Sequence, residues 1–150
     1  MKIVPVDEIP ESADVPLDNL MQTYAILQKM VTICKSRQGI GLSAVQVGLP
    51  LKMFIVQCYQ FYLNCEYRSI GEETQESMEG CLSVEGRYLV NRYPKIHVKS
   101  KQLVMNEKGQ PDLVDIDKDI EGHLAIVFQH EIDHQNGILI SDIGRKMETW

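Results

Sequence analysis

The sequence predicts an α+β fold, mostly antiparallel sheets packed around a central helix. Two segments with apolar residues at helical spacing lie well apart in the chain, and short strand-forming runs are grouped between them. Turn signals join these runs, and no strand–helix–strand alternation calls for a parallel sheet. With 150 residues, 44% of them hydrophobic, residues 1–150 suit a single domain with a substantial core.

Residues 1–16 hold three prolines and several acids and read as an irregular or extended arm. Asp18 then caps a helix with Leu20, Tyr24, Leu27, Val31 and Cys34 on one face, Cys34 as a small core residue. Residues 39–46 form a Gly-rich loop. No Gly-Lys-Ser/Thr follows it, which rejects a phosphate cradle. Residues 51–57 read as a strand centred on Phe54-Ile55-Val56, 59–70 as strand and turn, and 71–75 as a polar loop. Strands follow at 87–90 and 95–104. Asn106-Glu107-Lys108-Gly109 makes a turn, and 113–116 returns from it. The second helix spans 119–136, about five turns, with Ile120, Leu124, Val127 and Ile132 at helical spacing. Asp119 is its N-cap, Glu121 sits in its first turn, and Asn136-Gly137 is its stop.

Composition excludes some roles. The count of 15 basic against 21 acidic residues, net charge −6, argues against a sequence-independent nucleic-acid binder. The opening ten residues show no signal-peptide pattern, and no stretch reaches the roughly 18 apolar residues of a membrane span. Cys34, Cys58, Cys65 and Cys81 form no Cys-x-x-Cys pair, so free thiols in the cytosol are the simplest account.

The chemistry concentrates in Gln129-His130-Glu131-Ile132-Asp133-His134, which contains His-Glu-x-x-His. On a helix His130 and His134 share a face and can present two imidazoles to one metal ion. Glu131, one position round, can reach a metal-bound water as general base and then general acid. His123 falls near the line of Val127, His130 and His134. A buried helix with core histidines is the bland alternative; two His with Glu between them favour the metal.

A catalytic metal needs a third protein ligand and an open position. Downstream of His134 the candidates are Asp142 and Glu148. Upstream, Cys81 in Glu79-Gly80-Cys81-Leu82-Ser83 is stronger, giving a sulfur and two nitrogens suited to Zn or Fe(II). Gly80 would let the backbone bend close to a metal or ligand.

With Gly39-Ile40-Gly41-Leu42-Ser43-Ala44-Val45-Gln46, these segments resemble the peptide deformylase family. That family carries Gly-apolar-Gly-apolar-Ala-Ala-x-Gln, then Glu-Gly-Cys-Leu-Ser, then Gln-His-Glu-x-Asp-His, in this order. The resemblance runs from about Gly39 to Gly137. There are three departures. Ser43 replaces the first Ala of the first motif, Gln135 replaces a common Leu and is expected to loosen packing behind the metal, and the segment before the first helix is short. None is expected to touch a residue that does chemistry.

The resemblance implies removal of formyl from the N-terminal formyl-methionine of nascent peptides, with formate released. Cys81, His130 and His134 would hold one divalent ion, with water as fourth ligand. Fe(II) is the ion implied in the cell, with Zn or Ni found in its place. Glu131 would move the proton, while the Gln46 side-chain amide and the Leu82 N–H would stabilise the oxyanion. Asp133, off the His130–His134 line, would orient a partner. Gly41 and Gly80 would leave backbone groups free for an extended peptide. Ile40, Ile126, Val127 and His130 would line the methionine pocket, with Arg87 near its rim; core packing is the alternative for Ile126 and Val127.

Two other function classes fit less well. A metalloprotease using His-Glu-x-x-His leaves Cys81 and Gln46 without a task, and a non-catalytic metal or peptide-binding module leaves Glu131 unexplained. The partners expected are N-formylmethionyl peptides and nascent chains in the cytoplasm, with no stable nucleic-acid binding and no membrane. Residues 141–150 are too short for a long stable helix. Compact members of the family, phage-encoded ones among them, also end early. The chain therefore reads as a complete minimal enzyme without tail-mediated ribosome docking, acting in a bacterial cytoplasm, the host's if it is phage-encoded.

Overall fold

Every residue of Met53–Val56 is buried, and its side chains alternate between two apolar layers. Met53 and Ile55 join Leu27, Met30, Val31 and Cys34 on one side of a sheet. Phe54 and Val56 join Phe128 and Ile132 on the other. A strand covered on both faces must be apolar throughout, which is why Phe54-Ile55-Val56 stands out in the sequence.

The computed structural model describes residues 1–148. In chain order its elements are α1 (Leu20–Ser36), β1 (Gly41–Ser43), β2 (Met53–Val56), β3 (Gln60–Ser69), β4 (Gln75–Cys81) and β5 (Val84–Arg92). Then come β6 (Lys95–Met105), β7 (Pro111–Glu121), α2 (His123–Gln135), α3 (Ile140–Ile143) and β8 (Arg145–Lys146). One sheet has the order β1-β2-β3-β6-β7 and the other β4-β5-β8. All strand pairs are antiparallel, as expected of this α+β chain. α1 covers one face of the larger sheet and α2 the other. Phe128 seats α2 edge-on against Phe54 and Tyr62, at ring-centroid distances of 5.5 and 4.7 Å.

Residues 1–16 are an extended arm with one short 3-10 turn, Val6–Glu8, strapped down by backbone bonds such as Val4 N–H to Gln46 and Ala13 N–H to Pro50. Among the described residues no helix is long and apolar enough to cross a membrane.

Several boundaries differ from the expectation. Asn19, not Asp18, caps α1: its side chain accepts the Gln22 N–H at 3.1 Å. β4 covers residues expected to be loop and motif, because an edge strand facing a cleft carries few core side chains. β7 runs on to Glu121, so Asp119, Ile120 and Glu121 belong to a strand and α2 begins only at His123. Ile120 and Leu124, four apart, satisfy a period of 2 as well as one of 3.6. Gly122 makes the turn from β7 into α2 at φ 73°, ψ −149°, a conformation open essentially to Gly alone. Leu124, expected among the apolar positions of this helix, is exposed. Towards the end of the chain lie the four-residue α3 and the two-residue β8, with no long helix among the described residues, and residues 149–150 lie outside the described residues.

Candidate metal centre and its cleft

α2 carries His130 and His134 one turn apart, with ring centroids 4.6 Å apart and planes at 86°. The end of β4 brings Cys81 to them. Its Sγ lies 3.5 Å from His134 Nε2, and one donor atom from each of the three residues lies within 4.8 Å of the others. Bond lengths of about 2.3 Å to sulfur and 2.0 Å to nitrogen place two ligand atoms of one tetrahedral ion about 3.5 Å apart. The donor spacing and the S,N,N chemistry therefore fit a divalent ion of the Zn or Fe(II) kind.

The side chains around this group are ordered by buried charge. His130 Nδ1 meets Glu79 Oε1 at 2.8 Å, which leaves Nε2 as its free donor atom. Arg92, 3% exposed, grips Glu79 through two bonds of 2.8 Å and Asp133 through one of 2.5 Å. Burial pushes Glu79 up, but the hydrogen bonds from Arg92 and His130 outweigh it and hold the carboxyl down at about 2. Burial, followed by the neighbouring His130, pushes His134 down to about 3 and so favours the neutral imidazole a metal ligand requires. Burial lifts the Glu131 carboxyl above the usual range, against the pull of His130 and the hydrogen bond from Ser43.

A cleft of about 600 Å³ opens in front of these groups. Gln46 and Glu131 both line it. Gln46 Oε1 accepts the Ser43 N–H at 2.9 Å, so Nε2 faces Ser83 Oγ at 2.9 Å and Cys81 Sγ at 3.5 Å. Leu82 sits in the two-residue turn between β4 and β5, and its N–H pairs with no backbone carbonyl among the described residues. The combination is one that can hold a metal, carry a proton and donate to an oxyanion.

A family profile described as polypeptide deformylase matches residues 7–150. The chain belongs to the peptide deformylase family. It is 34% identical to the peptide deformylase of Thermotoga sp. (strain RQ2) over 129 residues, 83% of this chain and 72% of that one. The crystal structure of the Thermotoga maritima peptide deformylase superposes with a TM-score of 0.78 at 29% identity, covering 95% of each chain. That of the Vibrio parahaemolyticus bacteriophage VP16T, in complex with actinonin, gives 0.74 at 28% identity, covering 93% of this chain and 100% of that one. The chain is thus a deformylase-type hydrolase that removes the N-formyl group from nascent peptides, in a family whose chemistry is metal-dependent.

The deformylase cleft gathers most of the residues singled out in the sequence. Ile40, Gly41, Gly80, Arg87, Ile126 and Val127 line it together with Gln46, Cys81, Leu82, His130 and Glu131. His123 lines it too, one end of α2 away from the metal group. Asp142 does not join the metal group: its carboxylate accepts the Leu139 N–H at 2.8 Å. Glu148 is likewise outside that group. At Gly80 the pairing of β4 with β5 shifts register between Glu79 and Cys81, though nothing there demands a glycine. Its φ is ordinary and an added Cβ would meet nothing within 4 Å.

Two of the departures from the family pattern also look different in three dimensions. Gln135 is buried: its Nε2 donates to the Cys65 carbonyl at 3.2 Å, tying the back of α2 to β3, while its Oε1 is buried with no hydrogen-bond partner among the described residues. Ser43, expected to touch no chemical residue, bonds to Glu131. Sequence reasoning also gave no role to Glu79, Ser83 or Arg92. The signal for Arg92 was its place two residues after the buried Val90, at an inward position of a strand.

Proposed function

We propose that Cys81, His130 and His134 hold the family's metal, that Fe(II) is the ion in the cell, and that Glu131, Gln46 and Leu82 carry the reaction. The observation that carries this reading is the closure of the three donor atoms to within 4.8 Å beside a cleft lined by Cys81, His130, Glu131 and Gln46. When bound, a divalent ion supplies Lewis acidity, making a water nucleophilic near neutral pH.

Glu131 takes the proton from the attacking water as the C–O bond forms on the formyl carbon. The formyl oxygen becomes anionic and receives hydrogen bonds from Gln46 Nε2 and the Leu82 N–H. Glu131 returns the proton to the amine nitrogen as the C–N bond breaks, and formate and a free N-terminus leave. Glu79 orients His130, and Arg92 bonds to both Glu79 and Asp133, so Asp133 acts through Arg92.

The substrate in this reading is an extended N-formylmethionyl peptide. β1 and β4 are edge strands, and residues of both line the cleft, so each has backbone groups available to a peptide laid between them. Ile40, 55% exposed, with Ile126 and Val127, offers apolar contact for methionine, and Arg87 stands exposed at the margin. Residues 1–150 act as one catalytic unit on nascent chains in the cytoplasm. The net charge of −6 disfavours stable nucleic-acid binding, and the pairing of Arg145 and Lys146 with Leu89 and Tyr88 in a sheet disfavours their use as a free docking tail.

Anaerobic purification with metal analysis and a formate assay tests the ion. Iron at one equivalent with full activity is expected. Full activity with stoichiometric zinc and no iron would contradict the assignment of Fe(II).

A further inference from the structure

One face of β1 is built around the carboxylate of Glu131. Leu42 turns to the apolar layer under α1, so its neighbours Gly41 and Ser43 turn the other way, towards α2. Ser43 is fully buried, and its Oγ lies 2.9 Å from Glu131 Oε1 and 3.0 Å from the Glu131 backbone oxygen. At Gly41 an added Cβ would fall 2.7 Å from Glu131 Oε2 and 3.1 Å from its Cδ. The carboxylate thus occupies the space that Gly41 leaves open, with one oxygen held by a hydroxyl two residues further along the strand.

We propose that Ser43 is a positioning residue for the reaction. Its hydroxyl fixes Oε1 of Glu131 so that Oε2, beside Gly41 at the cleft wall, is the oxygen that exchanges the proton. The proposal rests on the reading of Glu131 as proton carrier. Glutamate has three side-chain torsions, and a carboxylate that must both take and return a proton gains from being held in one orientation. Among the described residues Ser43 is the side chain that donates a hydrogen bond to this carboxylate. Ser43 is not among the residues that line the cleft, so its hydroxyl acts through Glu131 and not on the substrate. Its effect is on rate.

A set of four proteins tests this: wild type, Ser43→Ala, Glu131→Gln and the double variant, each assayed on formyl-Met-Ala-Ser with metal content measured. Ser43→Ala should lower kcat about tenfold, the scale of one hydrogen bond to a charged group, with KM and metal content unchanged. In the Glu131→Gln background the same change should move kcat less than about twofold, because the group it positions has lost its function. Ser43→Thr, which keeps the hydroxyl, should recover kcat wherever it folds. An unchanged kcat in Ser43→Ala would overturn the proposal, and so would an equal loss in both backgrounds, which marks a purely structural role. If Glu131→Gln is inactive while Ser43→Ala is normal, only the Ser43 proposal falls. Wild-type turnover in Glu131→Gln would overturn the proton-carrier reading, and the Ser43 proposal with it.

Discussion

Gln46 accepts the Ser43 N–H through Oε1 at 2.9 Å, and that bond decides which end of the amide faces the cleft. A backbone N–H can be satisfied only by the oxygen, so the nitrogen must point outward, towards Ser83 and Cys81. Gln46→Glu keeps the acceptor and removes the outward donor. Turnover should fall about a hundredfold or more, the scale seen when one oxyanion donor is lost, with metal content retained. Near-normal kcat in this variant would show that the oxyanion is held elsewhere.

Arg92 is buried between Glu79 and Asp133 and is the cation that bonds to both. Replacing it by Leu leaves two carboxylates without that partner in a low-dielectric setting. Stability should drop by about 3–5 kcal/mol, the usual result of breaking a buried pair, and the loss should exceed that of Arg87→Leu at the exposed cleft margin. Urea unfolding of the two variants decides the matter, and equal, small losses would contradict it.

These two examples mark where the sequence was legible. Gln46 lies in a motif whose residues sit close together in the chain, and the resemblance of that motif to the peptide deformylase family singled it out. His130 and His134 share a helix face, and periodicity exposed them. Arg92 pairs with Glu79 and Asp133 at sequence separations of 13 and 41, which no local pattern reports. Ser43 reaches Glu131 across 88 residues, and a small residue in a small residue's place gave no warning of the contact. The start of α2 was misplaced because Ile120 and Leu124 are four apart, a spacing that fits strand and helix alike. β4 was missed because Gln75-Glu76-Ser77 offers no apolar alternation. The strand centred on Phe54-Ile55-Val56 was the easiest part to foresee, since burial on both faces leaves no polar position there.

Burial pushes the Cys65 thiol from 9.0 up to about 12, with Glu66 adding to the rise and Ser100 opposing it. The folded chain then keeps a proton that the unfolded chain has released. Its contribution to stability is complete below pH 9.0 and is lost as pH rises towards about 12. Cys34 behaves likewise, raised to about 12 first by burial and then by Cys58. Urea unfolding across the alkaline range should show a negative slope that becomes shallower in Cys65→Ala. An unchanged slope would contradict the burial of a protonated thiol.

The central claim is that Glu131 moves the proton in front of an ion held by Cys81, His130 and His134. The direct measurement is formate release from formyl-Met-Ala-Ser by the wild type and by Glu131→Gln, both prepared anaerobically and matched for metal content. The wild type should release one formate per peptide and leave every peptide bond intact. The Glu131→Gln protein should bind the same metal and turn over slower by about two orders of magnitude or more. Near-wild-type turnover in that variant, or cleavage of an internal peptide bond by the wild type, would contradict the account.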